Sequence, residues 1–246
     1  LATALTLGMS AEAFAKCGDF SFIAGDVNLQ IGGVGAPVPV KVGMSVAAKD
    51  VIITGKDGMA QLVMVDKARL SLRFNSRLTV EKCDSDKGDA DGTILSLFRG
   101  TLRTFTGLLS DSSRSKYQMK TRVATVGIRG SGNLLVQPDD GTIMYNYTIE
   151  GAHVTTENVT GRTIVSYPDQ TVFARAGQAP VIIPTTAEIR NAAFNMVGTG
   201  GTGGTGDIGD TPPPPGGDVG NGPPPSQIIF SGNGVGFSIV DNTVPI

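Results

Sequence analysis

Between residues 18 and 183 apolar and polar positions alternate with a period of two in a series of short runs, among them "DVNLQIG", "DVIITG", "MAQLVMVD", "RLSLRF", "RLTVEK", "TILSLFRG", "LRTFTG", "NLLVQP", "IMYNYTIEG", "AHVTTENV", "RTIVSY" and "TVFARAG". Successive side chains of a β-strand point to opposite faces, so this alternation predicts half-buried strands. Glycine and aspartate turns separate the runs at a spacing of roughly 8 to 12 residues, the spacing of an all-β chain. Helical segments, which a parallel sheet with crossovers would need between strands, are absent from this region. The expected fold is therefore all-β over residues 16–185, as a solenoid-like or two-layer arrangement of many short strands. One segment departs from the pattern: in "TAEIRNAAFNM" Ile189, Ala192, Ala193 and Met196 share one face at helical spacing, which predicts a short helix near 186–197.

The stretch "TRVATVGIRGSGNLLV" begins as a strand, yet glycines interrupt it at Gly127, Gly130 and Gly132. Glycine inside a strand forgoes packing and costs backbone entropy, so it marks a bulge, a sharp bend, or a close approach by a ligand or another backbone. The structural bend is the favoured reading, with Arg129 hydrogen-bonding local carbonyls or a carboxylate; a binding site is the alternative.

After Val197 the composition changes. "GTGGTGGTGDIGDTPPPPGGDVGNGPPP" lacks the apolar residues of a core, and residues 198–226 read as a Gly/Thr/Pro-rich linker. Residues 227–246 recover alternation around a Gly-Asn-Gly turn and read as a hairpin-like segment, "QIIFSGNGVGFSIV". The chain carries a net charge of −2, and no Lys or Arg follows Arg190 while four aspartates do. A tail of that sign does not attract nucleic acid, and none is expected as a partner.

Residues 1–15 read as the remains of an export signal, an apolar run ending in Ala13-Phe14-Ala15, with a basic leader and initiator Met expected to have preceded Leu1. The mature chain holds no run long enough to span a bilayer as a helix. Cys17 and Cys83 are the two cysteines of the chain. In an oxidising compartment a lone pair reads as a disulfide, against the alternative of two free thiols. Phe14-Ala15-Lys16-Cys17 does not fit a lipoprotein signal, which places a small residue before its cysteine.

Candidate chemistry is sparse. "CDSDKGDADGT" crowds Asp84, Asp86, Asp89 and Asp91 at a hairpin tip, but it lacks the calcium-loop spacing and its closing glutamate, so a solvated turn is preferred to a calcium site. His153, the single histidine, has no neighbouring catalytic partner. "RGSG" lacks the glycine two residues before Ser131 that a nucleophile elbow needs. No catalytic residue, metal or cofactor is assigned, and the chain is not expected to be an enzyme. Phe74, Phe98, Phe105 and Phe173 read as core or sheet-face residues. Tyr145 and Tyr147 share a strand face, which reads first as a half-buried sheet face and second as a platform for a sugar or peptide.

Several motifs taken in order resemble the FecR domain family over roughly residues 25 to 180. "VGMSVAAKDVIITGKDGMAQLVMVDKARLSLRFNSRLTV" is similar to the family's opening, with Gly43, Asp50, Thr54-Gly55 and Asp66 at the recurring positions. "LFRGTLR" resembles its middle element around Gly100. "TRVATVGIRGSG" resembles its most specific run through Thr121, Ala124, Gly127, Arg129, Gly130 and Ser131, and "IEGAHVTT" and "ARAGQAPV" resemble its close. Arg122 in place of the usual proline, Ser131 in place of threonine, and Gly132-Asn133 are departures. The resemblance implies an exported, envelope-side β-domain that acts by protein contact. Signalling members of the family place an anti-sigma helical bundle and a transmembrane helix ahead of the domain; these residues contain neither, so sigma-factor regulation is not carried over. The expected function is a non-catalytic interaction module, periplasmic or secreted to the cell surface, with an envelope or surface protein as partner. Exposed strand edges or the C-terminal segment would pair with it. A self-associating structural or surface-matrix protein and a glycan or cell-wall binder are the alternatives.

Overall fold

The computed structural model describes residues 15–83, 92–106, 117–157, 161–194, 227–229 and 238–240. The N-terminal half holds β1 (Lys16–Ala24), β2 (Val27–Gln30), β3 (Val38–Pro39), β4 (Ser45–Ala47), β5 (Val51–Thr54), β6 (Met59–Met64), β7 (Arg69–Leu72) and β8 (Arg77–Lys82). Three long strands follow, β9 (Ile94–Phe105), β11 (Ala124–Gln137) and β12 (Ile143–Glu157), with the short β10 (Gln118–Lys120) between the first two. The chain continues through β13 (Thr163–Ser166), β14 (Thr171–Arg175), β15 (Val181–Ile183) and the helix α1 (Ala187–Phe194). Finally β16 (Gln227–Ile229) and β17 (Ser238–Val240) pair antiparallel with each other in a separate two-stranded sheet.

β1 to β15 form one sheet, and it does not close into a barrel. Its main path runs β15-β14-β12-β11-β10-β9-β7-β6-β1-β4, while β2, β3, β5 and β8 branch from β9 and β13 lies against β12. Pairing is antiparallel except between β9 and β10. The fold is thus mainly β with a single short helix among the described residues, as the alternation predicted.

The runs read as separate short strands differ from what is found. "TILSLFRG" and "LRTFTG" are two halves of β9; "IMYNYTIEG" and "AHVTTENV" are two halves of β12; the glycine-rich run and "NLLVQP" are continuous in β11. Each long strand bends at glycine. Gly100 in β9 has φ +97, Gly151 in β12 has φ +76, and in β11 the register with β12 slips between Arg129 and Ser131, which leaves Gly130 as the extra, bulged residue. One extra residue shifts every following side chain to the other face. In β9 the register with β8 slips between Arg77 and Leu78, which leaves Phe98 extra two residues before Gly100, and the core takes Leu95 and Leu97 before the bend but Leu102 and Thr104 after it. In β11 it takes Ala124, Val126 and Ile128, then Leu135. In β12 a second slip, between Gly132 and Asn133 of its partner, leaves Ile149 extra. The bends fold the two halves of the strands over one shared core, so that Leu95, Leu97 and Val126 meet Leu102, Leu135 and Met144 in one cluster. Strands that pass from one layer to the next by bulges make the corners of such packings.

Gly132 also faces the bend. A Cβ there would stand 2.5 Å from the Phe105 ring on the neighbouring strand, so the ring lies against bare backbone. On the outer side of the same strands lies a smaller cluster, in which Leu134, Val136, Ile143, Tyr145 and Tyr147 pack under Ile189, Ala192 and Ala193 of α1. Ile189, Ala192 and Ala193 of the face foreseen for the helix are buried, and Met196 lies outside the described residues.

Cys17 and Cys83 form a disulfide with Cα atoms 5.5 Å apart, joining the start of β1 to the end of β8. It closes a span of 66 residues. By chain entropy a closure of that length contributes about 4 kcal/mol.

Candidate functional site

The residues that carry the sequence resemblance are used by the backbone. Asp50 is buried, and its two carboxylate oxygens accept the N–H groups of Gly32 at 2.7 Å and Ala47 at 2.8 Å, pinning a turn and the end of the edge strand β4 together. The Thr54 hydroxyl donates to the Arg73 carbonyl at 2.6 Å and accepts the Ser76 N–H at 2.8 Å. Asp66 accepts the Ala68 N–H at 2.9 Å within the β6–β7 turn, and the Thr121 hydroxyl accepts the Ala124 N–H at 3.0 Å. Gly127 pairs with Gln118 on one side and Val154 on the other. The backbone of Arg129 pairs with Ala152, while its side chain, and hence the bond expected of it, lies outside the described residues.

The reading of Tyr145 and Tyr147 as a sugar platform is corrected. Their rings are 5% and 4% exposed, covered by α1 and Phe173, and a buried ring presents no face to a sugar. Burial and the neighbouring Asp169 carboxylate push the Tyr147 hydroxyl up to about 12, and that hydroxyl donates to Asp169 at 3.3 Å. Arg190 of α1 grips the same carboxylate at 2.7 and 2.9 Å and, first among the causes, holds Asp169 below its ordinary value. Asp169 thus fastens the helix to the β13–β14 turn.

Asp84 to Asp91 lie outside the described residues, and so does the side chain of His153, whose backbone pairs with Ser166. Among the described residues no group of three His, Cys, Asp or Glu is placed to hold a metal ion. No described helix is long and apolar enough to cross a membrane. An open groove of about 570 Å³ is lined by Lys49, Glu81, Lys82, Ile94, Ser96 and Lys120, with Lys49 turned to Glu81 at 3.5 Å.

The surface best suited to contact is a pair of strand edges. β15 pairs with β14 alone and β13 with β12 alone, and the two lie close to each other. Their outer main-chain groups can continue the sheet. Val165, Tyr167, Val181 and Ile182 stand 42 to 58% exposed there, a group of large apolar side chains at a free edge. The edges are short: Pro180 and Pro184 flank β15, and Pro168 follows Tyr167, which limits pairing to a few residues. β3, another short edge, is itself blunted by Pro39. The sequence pattern marks these strands but not their position at the end of the sheet, which is set by long-range pairing.

Residues 50–152 match the family model described as FecR protein. The resemblance to the FecR domain is thus found over these residues. The match spans β5 to the middle of β12, and so contains the bends at Gly100, Gly130 and Gly151 but leaves the β13–β15 edge beyond it. Two crystal structures of a candidate anti-sigma factor from Parabacteroides distasonis are similar to this chain at 12% identity and a TM-score of 0.47, over 58% of this chain and 63% and 62% of theirs. The chain therefore spans less than two thirds of the length of those proteins. No curated protein matches it.

Proposed function

We propose that this chain is a non-catalytic interaction module of the bacterial envelope, periplasmic or secreted, in which the β13–β15 edge takes a short strand of an envelope or surface protein. The observation that carries this reading is the coincidence of two free edges with four exposed apolar side chains, at the end of the sheet. Edge addition draws affinity from main-chain hydrogen bonds and selectivity from alternate side chains. The match of residues 50–152 to the FecR model supports action by protein contact, and the disulfide is in keeping with an oxidising compartment. The test is a pull-down from envelope extract with wild type and with the double variant Val165→Lys, Ile182→Lys. Charges on an edge discourage strand addition. The variant is expected to lose the partner while melting within a few degrees of wild type; equal recovery removes the edge from the mechanism.

Self-association has an observation of its own. The sheet path ends in two different free strands, β15 and β4, so one copy's end can extend another's head to tail. Light scattering that rises with concentration, and falls in the same double variant, selects this reading; a monomer at high concentration rejects it.

A further inference from the structure

On the face of the sheet opposite the main core, β7 and β9 bring two arginines together. Leu70 and Leu72 of β7 are buried in the core, which turns Ser71 and Arg73 to the other side. Ser71 stands directly opposite Arg103 of β9, and the Arg73 N–H continues the ladder to the Thr101 carbonyl at 3.1 Å. Directly opposed side chains have Cβ atoms roughly 5 Å apart, so Arg103 stands across from Ser71, with Arg73 two residues along on the same face.

Both guanidinium groups are half-buried against aromatic rings, Arg73 at 5.4 Å from the centre of Phe74 and Arg103 at 5.2 Å from that of Phe105. Arg103 donates to the Ala193 carbonyl in the last turn of α1 at 2.8 Å. Arg73 makes no side-chain hydrogen bond among the described residues, and the Nε of each arginine is shielded from solvent without an acceptor. The described ion pairs engage other residues, at Lys16, Lys49, Arg99 and Arg190. Burial lowers the pKa of both groups, and the charge of Arg73 lowers that of Arg103 further, in keeping with their neighbouring places on one face of the sheet. Arginine does not shed its proton at such a site. Two partly desolvated cations side by side, with donors left over, are an arrangement that an anion completes.

We propose that Arg73 and Arg103, with Ser71 on the same face, form a receptor for one polypeptide carboxylate. The planar forks favour a carboxylate, which two guanidinium groups can hold through parallel N–H···O bonds. Two sources supply one. The chain's own segment after α1 starts next to the Arg103–Ala193 contact and carries Asp207, Asp210, Asp218 and Asp241 without a basic residue. The second source is an acidic stretch of the envelope partner, and that alternative rests on the function proposed above.

The test follows the Nε–Hε NMR signals of the full chain during titration with glutarate and, separately, with inorganic phosphate. The signals of Arg73 and Arg103 are expected to move together and saturate with glutarate, while that of Arg162 on the surface stays in place. Arg73→Gln gives up no side-chain hydrogen bond, so it should fold as wild type and bind glutarate at least tenfold more weakly. Replacing Asp207, Asp210, Asp218 and Asp241 together by Asn separates the sources. At least threefold tighter glutarate binding assigns the carboxylate to the chain itself, and unchanged binding assigns it to a partner. The proposal is overturned by no saturable movement in either wild type or the four-Asn variant, by a response to phosphate alone, or by full glutarate affinity in Arg73→Gln. Glutarate does not need the strand edges, so a failed pull-down leaves this result standing, and the reverse also holds.

Discussion

Asp169 shows how much one side chain organises. It adopts φ +64 in the β13–β14 turn, a conformation that aspartate tolerates better than most residues, and from there its carboxylate meets both Arg190 and Tyr147. Its lowered pKa means that the folded state binds the proton more weakly than the unfolded chain. The stability this contributes is whole at neutral pH and is lost as the pH falls through the folded-state value, below the ordinary 3.8. The pair is about half exposed, at 39% for Arg190 and 47% for Asp169. Screening therefore limits its worth to about 1 kcal/mol. Asp169→Asn should lose that amount at pH 7, measured by urea unfolding, and the gap to wild type should close near pH 2; a gap independent of pH would assign the effect to the turn conformation instead. Arg122 makes a different point at this scale. As a departure from the family pattern it looked like a weakened signature, yet its guanidinium lies 3.6 Å from the centre of the Phe98 ring, which is itself 47% exposed on β9. A contact between residues 24 positions apart leaves no trace in local alternation, and the same is true of the Arg73–Arg103 pair.

At the level of elements, the sequence pattern located nearly every strand but divided the three longest at their glycines. The reason is physical. A bulge reverses the phase of alternation, so Leu95-Leu97 and Leu102-Thr104 read as two strands of opposite register when they are one. The bends also explain why glycine is required. At Gly100 the backbone lies at φ +97 and a Cβ would meet Ser76 at 2.5 Å from its Cα and 2.1 Å from its hydroxyl oxygen. Gly35 offers the comparison, with φ +74 and open space around it. Gly35→Ala should cost about 1–2 kcal/mol, the conformational term alone. Gly100→Ala adds a collision with backbone and should cost at least about 3 kcal/mol. Equal losses in denaturant unfolding would show that Ser76 moves aside and that the bend tolerates a side chain. The helix was legible because Ile189, Ala192 and Ala193 repeat at helical spacing; what they cover was not, because Tyr145 and Tyr147 alternate in the same way whether a strand faces water or a helix.

For the whole molecule, the covalent tie outweighs any single packing contact. Replacing Cys17 and Cys83 together by Ser should lower stability by about 4 kcal/mol. Unfolding of the oxidised wild type against this variant in guanidinium chloride measures it; a loss under 1 kcal/mol would mean that the unlinked chain already keeps β1 near β8 before folding. The pairing could be read from a lone pair of cysteines taken together with the export signal, whereas the open ends of the sheet could not, because edge position depends on which strands meet across the full chain.

The place of this bond along the chain has a consequence in time. A polypeptide that emerges N-terminus first presents Cys83 before Ile94, the first residue of β9, has followed it. The covalent loop around β1 to β8 can therefore close before any of the three creased strands exists outside the exit. β9 would then meet a partner already tied together, with β7 and β8 waiting on either side of its bend. Under the exported reading proposed above, oxidant at the point of emergence favours that order of assembly.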